Sequence, residues 1–182
     1  LDGKPSDPQV YYQGLEEPYA KRTVEGDLGV RYSVHSLREA AGTENVAQWS
    51  GLTDPVVEEL IRQVSERPEL LNEDDPRLGQ LDAALAKAAV KLAVERHAGT
   101  LRIEYTPMGT LKIQEGKDLS EVEFVIGTGG AIIGSDRPAE ILSFALRGPH
   151  EPSLSLKPVK AKLCLDQDYI IAAMGLMAES YP

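Results

Sequence analysis

The short apolar run from Val122 to Ile126 discharges into Gly127-Thr128-Gly129-Gly130, and this is where the sequence is best prepared for chemistry. Three glycines in four residues remove side-chain walls and expose backbone amides, so a base, a ribose or a phosphate can come close to the chain. A turn that needs positive backbone angles accounts for the same glycines without any ligand. Neither common phosphate-binding pattern fits: no Gly-Lys-Ser/Thr follows, and Gly127, Gly129 and Gly130 lack the last glycine spacing of the dinucleotide fingerprint. The second candidate is Glu25-Gly26-Asp27-Leu28-Gly29, two carboxylates among glycines that could orient a water or a magnesium-bound ligand. An ordinary turn, with Asp27 bonded to nearby amides, accounts for it equally well.

The other reactive residue types carry less. His35, His97 and His150 are far apart and lack paired-ligand spacing, which points to helix ends or surface. Ser36 reads as a cap, Cys164 as a buried strand thiol and Trp49 as a packing anchor, because no base or second ligand stands beside them. The acidic run Asn72-Glu73-Asp74-Asp75-Pro76 lacks the fixed glycine and distal glutamate of a calcium loop and reads as a solvated turn. No nucleophile, acid-base pair or metal site emerges, so no catalytic residue is assigned.

The elements that hold these residues follow from periodicity. Val10 to Gln13, between Pro8 and Gly14, and Tyr19 to Val24 read as an opening hairpin. Ser36-Leu37-Arg38-Glu39 has capping-box spacing ahead of a short helix that Gly42 ends. Thr53-Asp54-Pro55 starts a helix to about Arg67, with Val57, Leu60, Ile61 and Val64 on one face. From Leu81 to about Arg96, Leu81, Leu85, Ala88 and Leu92 line one side while Lys87, Lys91 and Glu95 take the other, and Gly99 ends the helix. A hairpin joins Thr100–Tyr105 to Thr110–Gln114 across Pro107-Met108-Gly109. Val122 to Ile126 suits a buried strand. Pro138 to Leu146 reads as a helix with Ile141, Leu142 and Ala145 inward, and Lys162 to Leu165 as a strand. Asp166 caps a last helix whose Ala172-Ala173-Met174-Gly175 side is small enough for tight packing.

Composition bounds the class. The chain has 182 residues, 42% hydrophobic and 26% charged, which is globular. Nineteen basic residues against 29 acidic ones give a net charge of −10, which disfavours a broad phosphate-backbone interface with nucleic acid. The one cysteine has no internal disulfide partner, and no apolar run approaches membrane-spanning length. The expectation is a cytoplasmic chain with neither nucleic-acid nor membrane partners. It begins at Leu1 without methionine or signal-peptide architecture, which reads as a processing or fragment boundary. The pattern divides one lobe into residues 1–35 (hairpin and glycine turn), 36–99 (helical segment) and 100–182 (strands, glycine-rich turn and terminal helix).

Three stretches in order, Tyr19 to Gly29, Val125 to Gly130 and Asp168 to Gly175, resemble the glutamate mutase accessory protein family, called MutL. The similarity runs over most of the chain, Ala86 to Gly99 included. That family is similar to the actin, hexokinase and heat-shock chaperone ATPases. The resemblance implies an α/β fold, the second lobe of an actin-like ATPase with an RNase H-like mixed sheet and an inserted helical segment. It implies ATP or ADP with Mg2+ as cofactor of the full-length protein, with Gly127, Thr128, Gly129 and Gly130 at the adenosine. Glu25, Gly26, Asp27, Gly29, Lys87 and Lys91 would lie in the nucleotide or magnesium vicinity, with Glu95 on the same helix. The partners implied are the subunits of an adenosylcobalamin-dependent aminomutase, which the protein would maintain or reactivate. No Asp-x-Gly-x-Thr phosphate loop occurs, so the phosphate motifs are expected upstream of Leu1. Phosphoryl transfer needs preorganised amides, magnesium-binding carboxylates and a cation together. This segment alone is therefore not expected to turn over ATP. A missing first strand would leave an open sheet edge able to self-associate. The competing reading is a non-enzymatic structural or protein-interaction module whose glycines serve turns.

Overall fold

Four successive helices make the centre of the molecule, and three of them repeat apolar residues at helical spacing. The computed structural model describes residues 5, 7, 9–15, 17–71, 73–152 and 154–180. Helix α1 spans Val34–Ala41, α2 Thr43–Ser50, α3 Asp54–Glu66 and α4 Arg77–His97. Val57, Leu60, Ile61 and Val64 of α3 are fully buried, as are Leu78, Leu81, Leu85 and Ala88 of α4. Val34 and Leu37 of α1 and Val46 of α2 complete the core, and Leu92 packs against it half-buried. Burying a leucine or isoleucine side chain contributes about 1.5–3 kcal/mol, so this core is the main store of stability.

Helix boundaries differ from the sequence expectation: α4 begins at Arg77, not Leu81, and the helix from Pro138 ends at Ser143, not Leu146. Helix α2 is additional. It lies between Gly42 (φ 82°) and Gly51 (φ 73°), and only Val46 and Ala47 of it are buried, too few to print a period. Ser33, and not Ser36, occupies the N-cap of α1, and its Oγ donates to the Gly26 carbonyl at 2.8 Å instead of capping the helix. Ser36 falls inside the first turn, so the capping box does not form.

The strands lie in two small sheets. In the first, β2 (Thr100–Thr106) and β3 (Gly109–Glu115) form the expected hairpin, closed where Thr106 pairs Gly109. Strand β1 (Val10–Gln13) adds to β3 in parallel, with Tyr11 opposite Ile113. The opening hairpin is thereby corrected: residues 19–24 form no strand, and β1 takes a partner about a hundred residues away. The backbone of that segment is held differently, since the buried Lys117 donates to the carbonyls of Pro18 and Tyr19.

The second sheet contains β4 (Phe124–Gly127) and β5 (Lys162–Leu165), paired in parallel with Ile126 opposite Cys164. Between them come α5 (Gly130–Ile133) and α6 (Pro138–Ser143). Ile141, Leu142 and Ala145 point inward, as expected. Strand β4 is half-covered, not buried: Phe124 is 54% and Ile126 52% exposed. Successive side chains of a strand alternate between faces, and among the described residues only the α6 face is covered. Asp166 accepts from the amides of Ile170 and Ile171 at 3.0 and 3.3 Å, the expected cap of α7 (Ile171–Ser180). Residues 171–178 of that helix are all exposed, so its small face packs on nothing described. No helix among the described residues is long and apolar enough to cross a membrane. Pro8, Asn72 and Leu1, used in reading the sequence, lie outside the described residues.

Candidate functional site

The glycine turn bends the chain out of β4 and into α5. Gly127 is buried, and a Cβ there would lie 2.3 Å from Cδ2 of Leu142, so this glycine lets the strand close onto α6. Thr128 Oγ1 donates to the Asp166 carbonyl at 3.3 Å and ties the turn to the end of β5. Gly129 has φ 97°, a value side chains rarely adopt, while the space around its Cβ position and that of Gly130 is open. Its carbonyl accepts from Ile132 and Ile133, which starts α5.

Past this turn the chain forms one wall of a cleft of about 430 Å3. Gly130, Ala131 and Gly134 stand on that side, and Gly79 and Ala83, one helical turn apart on α4, stand on the other. Small residues thus line part of a slot between α4 and the α5–α6 segment. Its rim is polar, with Asp82 and Gln80 from α4 and Ser135, Asp136 and Arg137 from the α5–α6 connection.

Lys87 closes the slot at one end. The sequence placed it on the solvent side of α4, but its side chain is only 8% exposed. Nζ donates to Glu140 Oε1 at 2.5 Å and approaches the Trp49 carbonyl at 3.5 Å. It also lies 5.7 Å from the Phe144 ring centroid. Trp49 meets Phe144 edge to face at 5.0 Å, so the packing-anchor reading of Trp49 holds and the pair forms an apolar seat for the lysine stem. The bond from Lys87 holds the Glu140 carboxyl below the usual carboxylate range.

Asp82 walls this slot and a second cavity of about 400 Å3, which also takes in Gly130, Ala131 and Gly134 and adds Val30 and Arg31. Arg31 donates from both terminal nitrogens to both Asp82 oxygens. Burial nevertheless pushes the Asp82 carboxyl up, outweighing the guanidinium beside it.

Gly130 and Lys87 thus share one site, and the other candidates lie apart from it. Asp27 accepts two bonds from Arg96, both 2.8 Å, and Glu25 accepts one at 2.5 Å. The bond from Arg96 holds Asp27 below its ordinary range. Gly26 and Leu28 form a 3-10 turn with Asp27, and Gly29 follows it beside Ser33. Arg96 is nine residues beyond Lys87, about 13 Å along the helix axis. Lys91 pairs with Glu95 and, at 3.4 Å, with Glu151, in a cluster that includes the fully buried Lys157. His97 shares a 3.1 Å hydrogen bond with Thr23, and burial lowers its pKa. His35 and His150 are exposed, and Cys164 is half-buried. Among the described residues no three His, Cys, Asp or Glu side chains converge as a metal site would require.

Asp82, Glu140 and the Ser135–Arg137 rim were not singled out in the sequence, and Trp49 was read there only as a packing anchor. Gly79 and Ala83 carried a readable signal, two small residues four apart on a helix, whereas Lys87 and Glu140 are 53 residues apart and carry none.

A family model described as MutL protein matches residues 1–182. The chain belongs to the MutL protein family. Protein MutL of Clostridium tetanomorphum is 44% identical over 184 residues, an alignment that covers 100% of this chain and 39% of that relative. The chain thus spans about two-fifths of the length of the MutL relative it matches. No solved structure matches it.

Proposed function

We propose that the slot between α4 and the α5–α6 segment binds the adenosine part of ATP or ADP. The chain would be the nucleotide-binding part of an actin-like ATPase that maintains or reactivates an adenosylcobalamin-dependent aminomutase of the glutamate mutase type. The observation that carries this is the pairing of small-residue walls, Gly79 and Ala83 facing Gly130, Ala131 and Gly134, around about 430 Å3. Ligand sites of this kind span roughly 300–1,000 Å3, with a few polar groups fixing orientation. Gln80, Asp82 and Ser135 offer hydrogen bonds for a base or ribose. Membership of the MutL family supports the mutase as partner, and the actin-like fold rests on the resemblance of the glycine turn and terminal helix.

The reading is confined to binding. Glu25 and Asp27 are engaged by Arg96 away from the slot, so no described residue is given a role toward magnesium or in phosphoryl transfer. Calorimetry with adenosine, then with magnesium-ADP, tests it. A Gly130→Val variant is expected to lose at least tenfold in affinity, because its side chain enters open space in the slot wall without a positive φ to strain. Unchanged affinity in that variant, or no binding to wild type, refutes the site. The second reading, an interaction module without a nucleotide, draws on one observation: Gly127 and Gly129 each have a structural reason to be glycine.

A further inference from the structure

We infer that the Arg31–Asp82 pair couples occupation of the slot to the turn over residues 26–33, with Arg31 acting as a positioning residue. The inference rests on the reading of the slot as a nucleoside site. Asp82 belongs to the walls of both cavities, whereas Arg31 lines only the second. A molecule in the slot therefore meets Asp82 directly and Arg31 only through it.

Each carboxylate oxygen has two lone-pair directions, and the guanidinium takes one on each. Two remain for donors on an entering ligand, and the exocyclic amine and ribose hydroxyls of adenosine are donors of that kind. Such a ligand also displaces water from a carboxylate that is already partly desolvated, which strengthens the pair behind it. Arg31 has little freedom to answer except as a unit with its segment. Its Nη2 also reaches the Leu70 carbonyl at 3.4 Å, and its own carbonyl accepts from Val34, the first residue of α1. The turn before it is fixed at its far end by Arg96 on Asp27 and in its middle by buried Leu28. Ser33 bonds back to the Gly26 carbonyl, so residues 26–33 form a closed loop with one charged link to the slot.

Ligands shift a local opening equilibrium only as far as they favour one arm of it. Tightening of the pair should favour the closed loop. The test is amide hydrogen exchange of the 182-residue chain with and without saturating adenosine, with calorimetry to establish occupancy. Exchange at Leu28 and Val34 should slow roughly fivefold on binding, alongside protection over residues 130–137. In Arg31→Lys, which keeps the charge but loses the fork, protection over 130–137 should persist while that at Leu28 and Val34 disappears.

Adenosine binding with protection over 130–137 and no change at Leu28 and Val34 in wild type overturns the coupling and leaves the slot reading standing. Full protection of the loop in Arg31→Lys overturns it as well. No binding by wild type removes the slot reading and the inference together. Should Arg31→Lys fail to fold, the wild-type comparison decides alone.

Discussion

Lys87 Nζ meets Glu140 Oε1 at 2.5 Å and so joins α4 to α6 across the rim of the slot. The lysine is buried and the glutamate is 43% exposed, so the two partners feel different solvents. A carboxyl held below its ordinary value contributes stability that is complete above about pH 4.3 and is lost as the pH falls through its lower, folded-state value. Glu140→Gln is therefore expected to lower stability at pH 7 by about 0.5–1 kcal/mol, the scale of a half-solvated ion pair. Melting temperatures of the two proteins should converge as the pH falls below the ordinary glutamate value of about 4.3. A difference that stays constant with pH would show that the pair contributes no charge-dependent stability.

Gly127 is expected to be intolerant for reasons of space alone. Gly127→Ala puts a methyl 2.3 Å from Cδ2 of Leu142 and should cost about 1–3 kcal/mol by overpacking. Adding Leu142→Ala should recover part of that, since the clash partner is then gone. Denaturant midpoints of the two single variants and the double variant measure the coupling; strictly additive losses would locate the strain elsewhere.

Gly129 and Gly130 separate strain from crowding. Gly129→Ala should lower the melting temperature with no nucleotide present, at a cost of about 1–2 kcal/mol, because φ 97° is unfavourable for any side chain. Gly130→Val should leave the melting temperature within about 2 °C of wild type while adenosine affinity falls. Thermal shift without ligand, followed by calorimetry, distinguishes them, and equal affinity in wild type and both variants would take the turn out of the site.

Leu85, fully buried on α4, should cost about 2–5 kcal/mol on replacement by alanine. Urea unfolding at constant slope reads this directly. A change near zero would contradict its place in the core.

How much was legible depended on whether an interaction is local. The α3 face Val57, Leu60, Ile61 and Val64 and the β2–β3 turn were readable because period and turn chemistry act within a few residues. Lys87 was misplaced because a polar residue between Leu85 and Ala88 reads as solvent-facing, whereas its long stem lies against Trp49 and Phe144 and its charge finds Glu140. Val10–Gln13 reads as a strand, but alternation does not name a partner, and in sequence residues 19–24 lie nearer than distant β3. The glycine turn was visible as a motif. What faces it, Gly79 and Ala83, became evident only once α4 and α5 lay side by side.

The parallel pairing of Tyr11 with Ile113 also has a consequence in time. A ribosome adding roughly 5–20 residues per second leaves β1 waiting several seconds before β3 exists at all. The helices α1 to α4 can collapse during that interval, since every leucine of their core has already been made. The first sheet should therefore close after the helical core, as a separable event. In pulse-labelled refolding the same order is expected because closing the loop of roughly a hundred residues between β1 and β3 costs entropy, so amides of residues 10–13 should acquire protection after those of α4, and removal of β1 should leave the helical core intact.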